Sequence, residues 1–444
     1  MKRLAAAFAL GLSIAAGGCA TVDPTVAATA PVAEQREPIT ILVSIDGFRA
    51  DYLDRGVTPT LSRLAAGGVT AAMRPSFPSK TFPNHWAEIT GYYPDNNGIV
   101  ANSFTDPSRA EEKFTMATTD PFYWNGREPL WVTAENAGIR SAAMFWPGSA
   151  VAWGGTLVPH GYGRVDGGVR PQDWQAFDQN VSPTQRVNAI IDWLRRPADI
   201  RPQFLLLYFD EVDTAGHATG PDSPELTAAL RNVDRDIAKL IEGIESLGQP
   251  ANIVVTSDHG MAETRNSRTI ELDAIVGAGN YTLVEAGPYA SLAPVPGREA
   301  HLAAALSRDH EHMDCWAKAE IPAPLNYGKS ARIPPYLCLA DIGWQIFPSR
   351  QEGERIGGNH GYDPRTPEMA ALFIASGPAF ASAKRIESFD NVAINPLLRA
   401  VLGLPQDGSE GADTWSINLK SFAGWCAWAI SPGGWSISSL AIWR

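Results

Sequence analysis

Short apolar runs alternate along this chain with longer stretches whose apolar positions recur every three or four residues. Thr40–Ile45 (TILVSI), Arg140–Trp146 (RSAAMFW), Gln203–Phe209 (QFLLLYF), Ala251–Thr256 (ANIVVT) and Ala370–Ile374 read as buried strands. Each is largely continuous in its apolar character, which suits a strand covered on both faces. Pro59–Ala66 reads as a helix, with Thr58 as its cap and Pro59 at its first position. A second helical stretch opens at Thr81 and runs to Thr90, and Leu226–Leu247 is a long amphipathic helix. Strands alternating with helices predict an α/β fold, with a mainly parallel central sheet flanked by helices on both faces.

Composition narrows the picture. A chain of 444 residues that is 45% hydrophobic and 19% charged can bury a large core. The net charge of −12, without a long basic run, disfavours a nucleic-acid polymer as partner. It leaves room for a small anionic substrate, because bound metal ions reverse the local field. Lys2 and Arg3 precede an apolar run, Leu4–Ala16, that is short for a membrane span and reads as an export signal over residues 1–18. The run ends in Ala16-Gly17-Gly18-Cys19, which resembles a bacterial lipobox. That resemblance implies cleavage before Cys19, lipid attachment to it and a periplasmic lipoprotein anchored to the outer membrane. Residues 19–38 then read as a flexible tether and 39–420 as the catalytic domain. Residues 421–444 form a Trp-rich, nearly uncharged tail that breaks the preceding pattern. Cys315 and Cys338 are the natural disulfide pair of an exported chain.

Chemistry gathers where strands end. Asp46-Gly47 follows the first strand, Asp213 and His217 follow the third, and Asp258-His259-Gly260 follows the fourth. A further cluster is Gly357-Gly358-Asn359-His360-Gly361. Alone, each reads as a turn or cap. Together they are more specific, since carboxyl ends of parallel strands share one edge of the sheet. Three carboxylates and three imidazoles suit zinc better than magnesium or calcium, and six ligands are about right for two ions. Two metals roughly 3.5–4 Å apart form the clamp used for in-line phosphoryl transfer. Two Zn²⁺ ions bring four positive charges and the aspartates cancel three, so an ionised hydroxyl would complete the balance. Ser79-Lys80-Thr81 supplies candidates, with Thr81 where a helix begins.

At this point the ordered strings VSIDGFR, PSFPSKTFPNHWAEITGYYP, NGIVAN, FWPGS, DEVDTAGHATGP, TSDHGM and GGNHGYD resemble the nucleotide pyrophosphatase/phosphodiesterase family of the alkaline phosphatase superfamily. The resemblance covers roughly residues 39–405 and implies an alkaline phosphatase-like core. It implies one zinc on Asp213, His217 and His360, and another on Asp46, Thr81, Asp258 and His259. Thr81 matches the nucleophile, which forms a covalent intermediate, and Asn102 matches a donor to a non-bridging phosphate oxygen. Asn84 and His85 read as structural.

The resemblance also implies aromatic walls for a nucleobase, matched by Phe82, Tyr208 and Phe177. Flat rings suit a base, since stacking contributes about 1–3 kcal/mol whatever the base identity. The expected products are nucleoside 5′-monophosphates. Two alternatives keep the fold but change the substrate: a glycerophosphodiester or lysophospholipid head group, or a phosphate monoester. A third is a lipoprotein without activity, against which all seven metal-site positions stand occupied.

Overall fold

A computed structural model describes residues 34–412. The chain divides into Met1–Arg36, of which Glu34–Arg36 are described, and a main unit from Glu37 onward. The expected signal at 1–18, Cys19 with its lipid, most of the 19–38 tether and the 421–444 tail lie outside the described residues.

The main unit is built on an eight-stranded sheet. In spatial order its strands are Lys384–Arg385, Val69–Met73, Ala371–Ser376, Ala251–Thr256, Ile39–Ile45, Phe204–Phe209, Ser141–Met144 and Asp173–Gln175. All neighbours run parallel except Ala371–Ser376, which is antiparallel to both of its partners. The central strand Ile39–Ile45 is buried throughout. Its side chains alternate between two cores. Leu42 joins the core holding Trp86 and Ile89, whereas Ile41 and Val43 join the one holding Leu230 and Ile237. Burial on both faces explains the continuous apolar strings in the sequence.

Three parallel neighbours fix where the chemistry falls. Ile45 is in register with Phe209, and Ser44 with Thr256. The residues that follow, Asp46, Asp210 and Ser257, therefore emerge at one edge, and the Asp46 amide donates to Phe209 O at 2.9 Å. Gly47 is required here. Its φ is +70°, and a Cβ at this position would stand 2.9 Å from Asp213 Cα. The first strand's turn thus packs directly on the backbone of the Glu211–Thr219 helix.

A second, four-stranded antiparallel sheet was not legible in the apolar pattern. Its order is Tyr281–Glu285, Tyr289–Pro294, Tyr336–Ala340, Met313–Ala317, and it carries its own small core around Leu292, Leu302 and Leu306. Cys315 faces Cys338 across this sheet and the two form a disulfide, as the sequence suggested.

One local expectation is corrected. The helix Pro59–Gly67 begins as predicted, but Thr58 makes no side-chain cap bond. The buried Asp234 carboxylate, from the long helix Pro224–Ser246, accepts from Thr60 N at 3.1 Å and from Leu61 N at 2.9 Å. A remote carboxylate does the capping, so the spacing within the helix could not reveal it. Asp234→Ala should lower stability by about 1–3 kcal/mol, the cost of leaving buried donors unsatisfied. A lower urea midpoint with unchanged kcat would bear this out.

Candidate active site

Asp213 and His217 lie at i and i+4 on the Glu211–Thr219 helix and so share one face. Asp258 and His259 follow the Ala251–Thr256 strand, and His360 follows the short strand Ile356–Asn359. The six residues meet. His217 Nε2 is 3.4 Å from Asp213 Oδ1, and His360 Nε2 is 3.5 Å from the same oxygen. His259 Nε2 is 3.4 Å from Asp46 Oδ1 and 3.0 Å from Asp258 Oδ2. The rings of His259 and His360 stack at 3.5 Å. Asp213, His217 and His360 form one candidate metal cluster, and Asp46, Asp213 and His259 another, so Asp213 stands in both. Asp258 joins through His259 rather than as a member of either cluster.

The hydrogen bonds dictate what these groups present. Each histidine commits Nδ1 to a backbone carbonyl: His217 to Gly358 O at 2.8 Å, His259 to Gly260 O at 2.9 Å and His360 to Ser79 O at 2.8 Å. A carbonyl only accepts, so Nδ1 carries the proton and Nε2 of a neutral ring presents a lone pair. Burial, first among the causes, pushes His259 and His217 below the usual imidazole range and His360 well below it. His360 Nε2 and His217 Nε2 nevertheless stand 3.0 Å apart. Two lone pairs at that distance repel unless a cation lies between or beside them.

The carboxylates repeat the pattern. Asp46 Oδ2 accepts from the Tyr208 hydroxyl at 2.6 Å, and Asp258 Oδ1 accepts from Gly47 N at 3.3 Å. Their other oxygens, Asp46 Oδ1 and Asp258 Oδ2, are buried without a hydrogen-bond partner among the described residues, as is Asp213 Oδ1. Burial, then the neighbouring carboxylates, drives Asp46 and Asp258 well above the usual range. Such a donor set, with oxygens and unprotonated nitrogens facing inward and their outer atoms fixed by the backbone, fits divalent cations. Gly358 is needed for this closeness: a Cβ there would lie 2.6 Å from Gly216 O.

Thr81 is the first residue of the helix Thr81–Thr90, with Lys80 as its cap. Its hydroxyl is therefore not spent on capping, and Oγ1 lies 3.4 Å from His259 Nε2. His85, one turn on, is neutral, because burial pushes it down to about 3. Its Nδ1 bonds Thr81 O at 2.8 Å and its Nε2 bonds Ser44 Oγ at 2.8 Å, tying the helix start to the central strand. Asn84 joins Pro78 O, Lys80 O and Ser76 N. Both side chains are engaged in bonds that hold the start of this helix. Asn102 Oδ1 accepts from Phe82 N at 2.9 Å, which leaves its Nδ2 hydrogens as donors for the adjoining pocket.

That pocket has a volume of about 650 Å³ and contains Thr81, Asn102, Asp213 and His360 in its lining. Its size suits a ligand of a few dozen atoms. All three expected wall residues reach it. Phe82 packs on Trp124 and Phe114, and the half-exposed Phe177 meets Tyr208 edge-on at 5.8 Å. Tyr208 has a second task that its position did not reveal, the bond to Asp46. Phe145, Trp146 and Asp210 line the pocket but were not singled out from the sequence. FWPGS was visible as a string, but only the left-handed φ of 65° at Phe145 shows how its ring is turned inward.

Comparison with known proteins agrees with this geometry. Residues 40–363 match the family model described as type I phosphodiesterase/nucleotide pyrophosphatase. A bis(5′-adenosyl)-triphosphatase from Xenopus laevis is 34% identical over 91% of this chain and 87% of its own length. Mouse ectonucleotide pyrophosphatase/phosphodiesterase family member 1 is 36% identical over 86% of this chain, which spans 43% of that longer protein. The structure of murine ectonucleotide pyrophosphatase/phosphodiesterase 5, in an inactive threonine-to-alanine form in complex with AMP, superposes with a TM-score of 0.77. It has 32% identity and covers 86% of this chain and 99% of that one.

Chelation should lower the melting temperature, and two equivalents of a divalent cation per chain should restore it. A ligand present at a thousandfold its dissociation constant stabilises by about 4 kcal/mol. Differential scanning fluorimetry with metal titration measures both. No shift on chelating a metal-replete sample would contradict the donor-set argument.

Proposed function

The chain belongs to the type I phosphodiesterase/nucleotide pyrophosphatase family, and on that premise we propose that it hydrolyses nucleotide diesters and anhydrides to nucleoside 5′-monophosphates through Thr81. It is a hydrolase of phosphodiester and pyrophosphate bonds. The observation that carries the finer reading is the convergence of three unprotonated imidazole nitrogens and three unpartnered carboxylate oxygens beside the Thr81 hydroxyl. Two zinc ions are the cofactors this donor set favours. We assign one to Asp213, His217 and His360, and the other to Asp46, Thr81, Asp258 and His259. When bound, they supply the positive charge that allows a hydroxyl to ionise near neutral pH and that offsets charge on the phosphate oxygens.

The protein groups then do the following. The aromatic residues Phe82, Tyr208 and Phe177 hold the base and exclude water from it. Asn102, oriented by Phe82 N, donates from Nδ2 to a non-bridging phosphate oxygen. Thr81 Oγ1 gives up its proton to solvent water and attacks phosphorus, in line with the bond to the leaving oxygen. The new P–Oγ1 bond makes a nucleotidyl-threonine as the leaving group departs. Water then attacks phosphorus, the P–Oγ1 bond breaks, and the hydroxyl is restored. The AMP bound by the murine relative and the dinucleoside triphosphate in the Xenopus relative's name support a nucleotide substrate. Export to an oxidising compartment accords with the Cys315–Cys338 disulfide.

Thr81→Ala should cut turnover by at least about a thousandfold while retaining most bound metal, since six other ligands remain. Asn102→Ala should lower kcat by about 10²–10³ with metal content unchanged. Zinc-loaded enzyme should prefer a dinucleoside triphosphate to glycerophosphocholine and to a phosphate monoester. Faster turnover of the head-group diester or the monoester would move the protein to one of those substrate classes.

A further inference from the structure

Arg186 is one of the largest wholly buried side chains, at 1% exposure. A guanidinium in an apolar interior must have its donors used. Nε donates to Val181 O at 3.0 Å, and Nη1 donates to Tyr208 O at 3.2 Å and Asp210 Oδ1 at 2.7 Å. Glu211 Oε1 lies 3.8 Å from Nη1. The guanidinium also stands 4.9 Å from the Phe145 ring centre and 5.8 Å from that of Phe177. Phe145, Phe177, Tyr208 and Asp210 all line the pocket, whereas Arg186 does not. It backs four lining residues drawn from three segments of the chain.

Phe177 needs such backing. It is 51% exposed and sits in residues 176–182, which contain neither helix nor strand. Its ring meets Phe145 at 5.4 Å and Tyr208 at 5.8 Å, both edge-on. Phe145 is itself held at a φ of 65°, a left-handed conformation that a bulky side chain rarely adopts. Through Val181 O, Arg186 fastens the Phe177 segment to the end of the strand that carries Tyr208.

We propose that Arg186 is a positioning residue for the substrate's aromatic group, holding Phe177 and Tyr208 in the arrangement that receives a base. This rests on the nucleotide reading above. Arg186 reaches Tyr208 at its backbone carbonyl and not at the hydroxyl that bonds Asp46, so its effect falls on binding rather than on the chemical step.

The test compares zinc-loaded wild type, Arg186→Lys and Phe177→Ala. Lysine keeps the charge but cannot form the same fork, and the exposed Phe177 can be truncated without threatening the fold. Diadenosine triphosphate serves as substrate, with AMP and inorganic phosphate as competitive inhibitors. Both variants should raise KM and the AMP inhibition constant by about tenfold, within the range of a stacking contact. The inhibition constant for phosphate should stay constant and kcat should change less than threefold. The proposal is overturned if AMP and phosphate weaken together, if kcat carries the loss, or if Arg186→Lys leaves AMP binding unchanged. If wild type binds AMP no better than phosphate, the nucleotide reading itself fails, whatever the variants do.

Discussion

Three imidazole nitrogens and three carboxylate oxygens face one another, and among the described residues the three oxygens have no hydrogen-bond partner. Their outer atoms are fixed: each Nδ1 by a carbonyl, Asp46 by Tyr208 and Asp258 by the Gly47 amide. The inner atoms cannot turn away to find other partners. Burial first, and then repulsion between carboxylates so placed, pushes Asp46 and Asp258 well above the usual carboxylate range. Cations resolve that conflict. The same positive charge that would make the cluster tolerable would let a neighbouring hydroxyl ionise.

The fold exists to hold that arrangement. Adjacent parallel strands deliver Asp46, the Asp213 helix and Asp258-His259 to one edge. Gly47 and Gly358 remove the side chains that would keep the segments apart. His85 anchors the Thr81 helix to the central strand, so Thr81 is presented at a helix start with its hydroxyl unspent on capping. The pocket opens beside this centre, which places recognition and chemistry on one surface.

Much of this was legible in the sequence. Buried parallel strands leave continuous apolar strings, and residues at strand ends are fixed by topology, so Asp46, Asp213, His217, Asp258, His259 and His360 could be grouped before any coordinate. The Thr81 helix begins where the pattern placed it. Interactions between distant segments stayed hidden. The spacing around Thr58 suggests a local cap, yet the cap is Asp234, more than 170 positions away. The four-stranded sheet is small and only partly buried, so its apolar signal is weak. Tyr208 looked like a wall residue alone because nothing in its neighbourhood shows that its hydroxyl reaches Asp46. Asp213 standing in both candidate metal clusters is likewise a property of packing, not of spacing.

The central claim is that Thr81 becomes covalently bound to phosphorus. Stereochemistry tests it most directly. A nucleotide phosphorothioate diester of single configuration would be hydrolysed in isotopically labelled water, and the configuration at phosphorus read in the product. Two successive in-line displacements, the first by Thr81 and the second by water, predict net retention. Net inversion would mean that water attacks the substrate directly and would contradict the account.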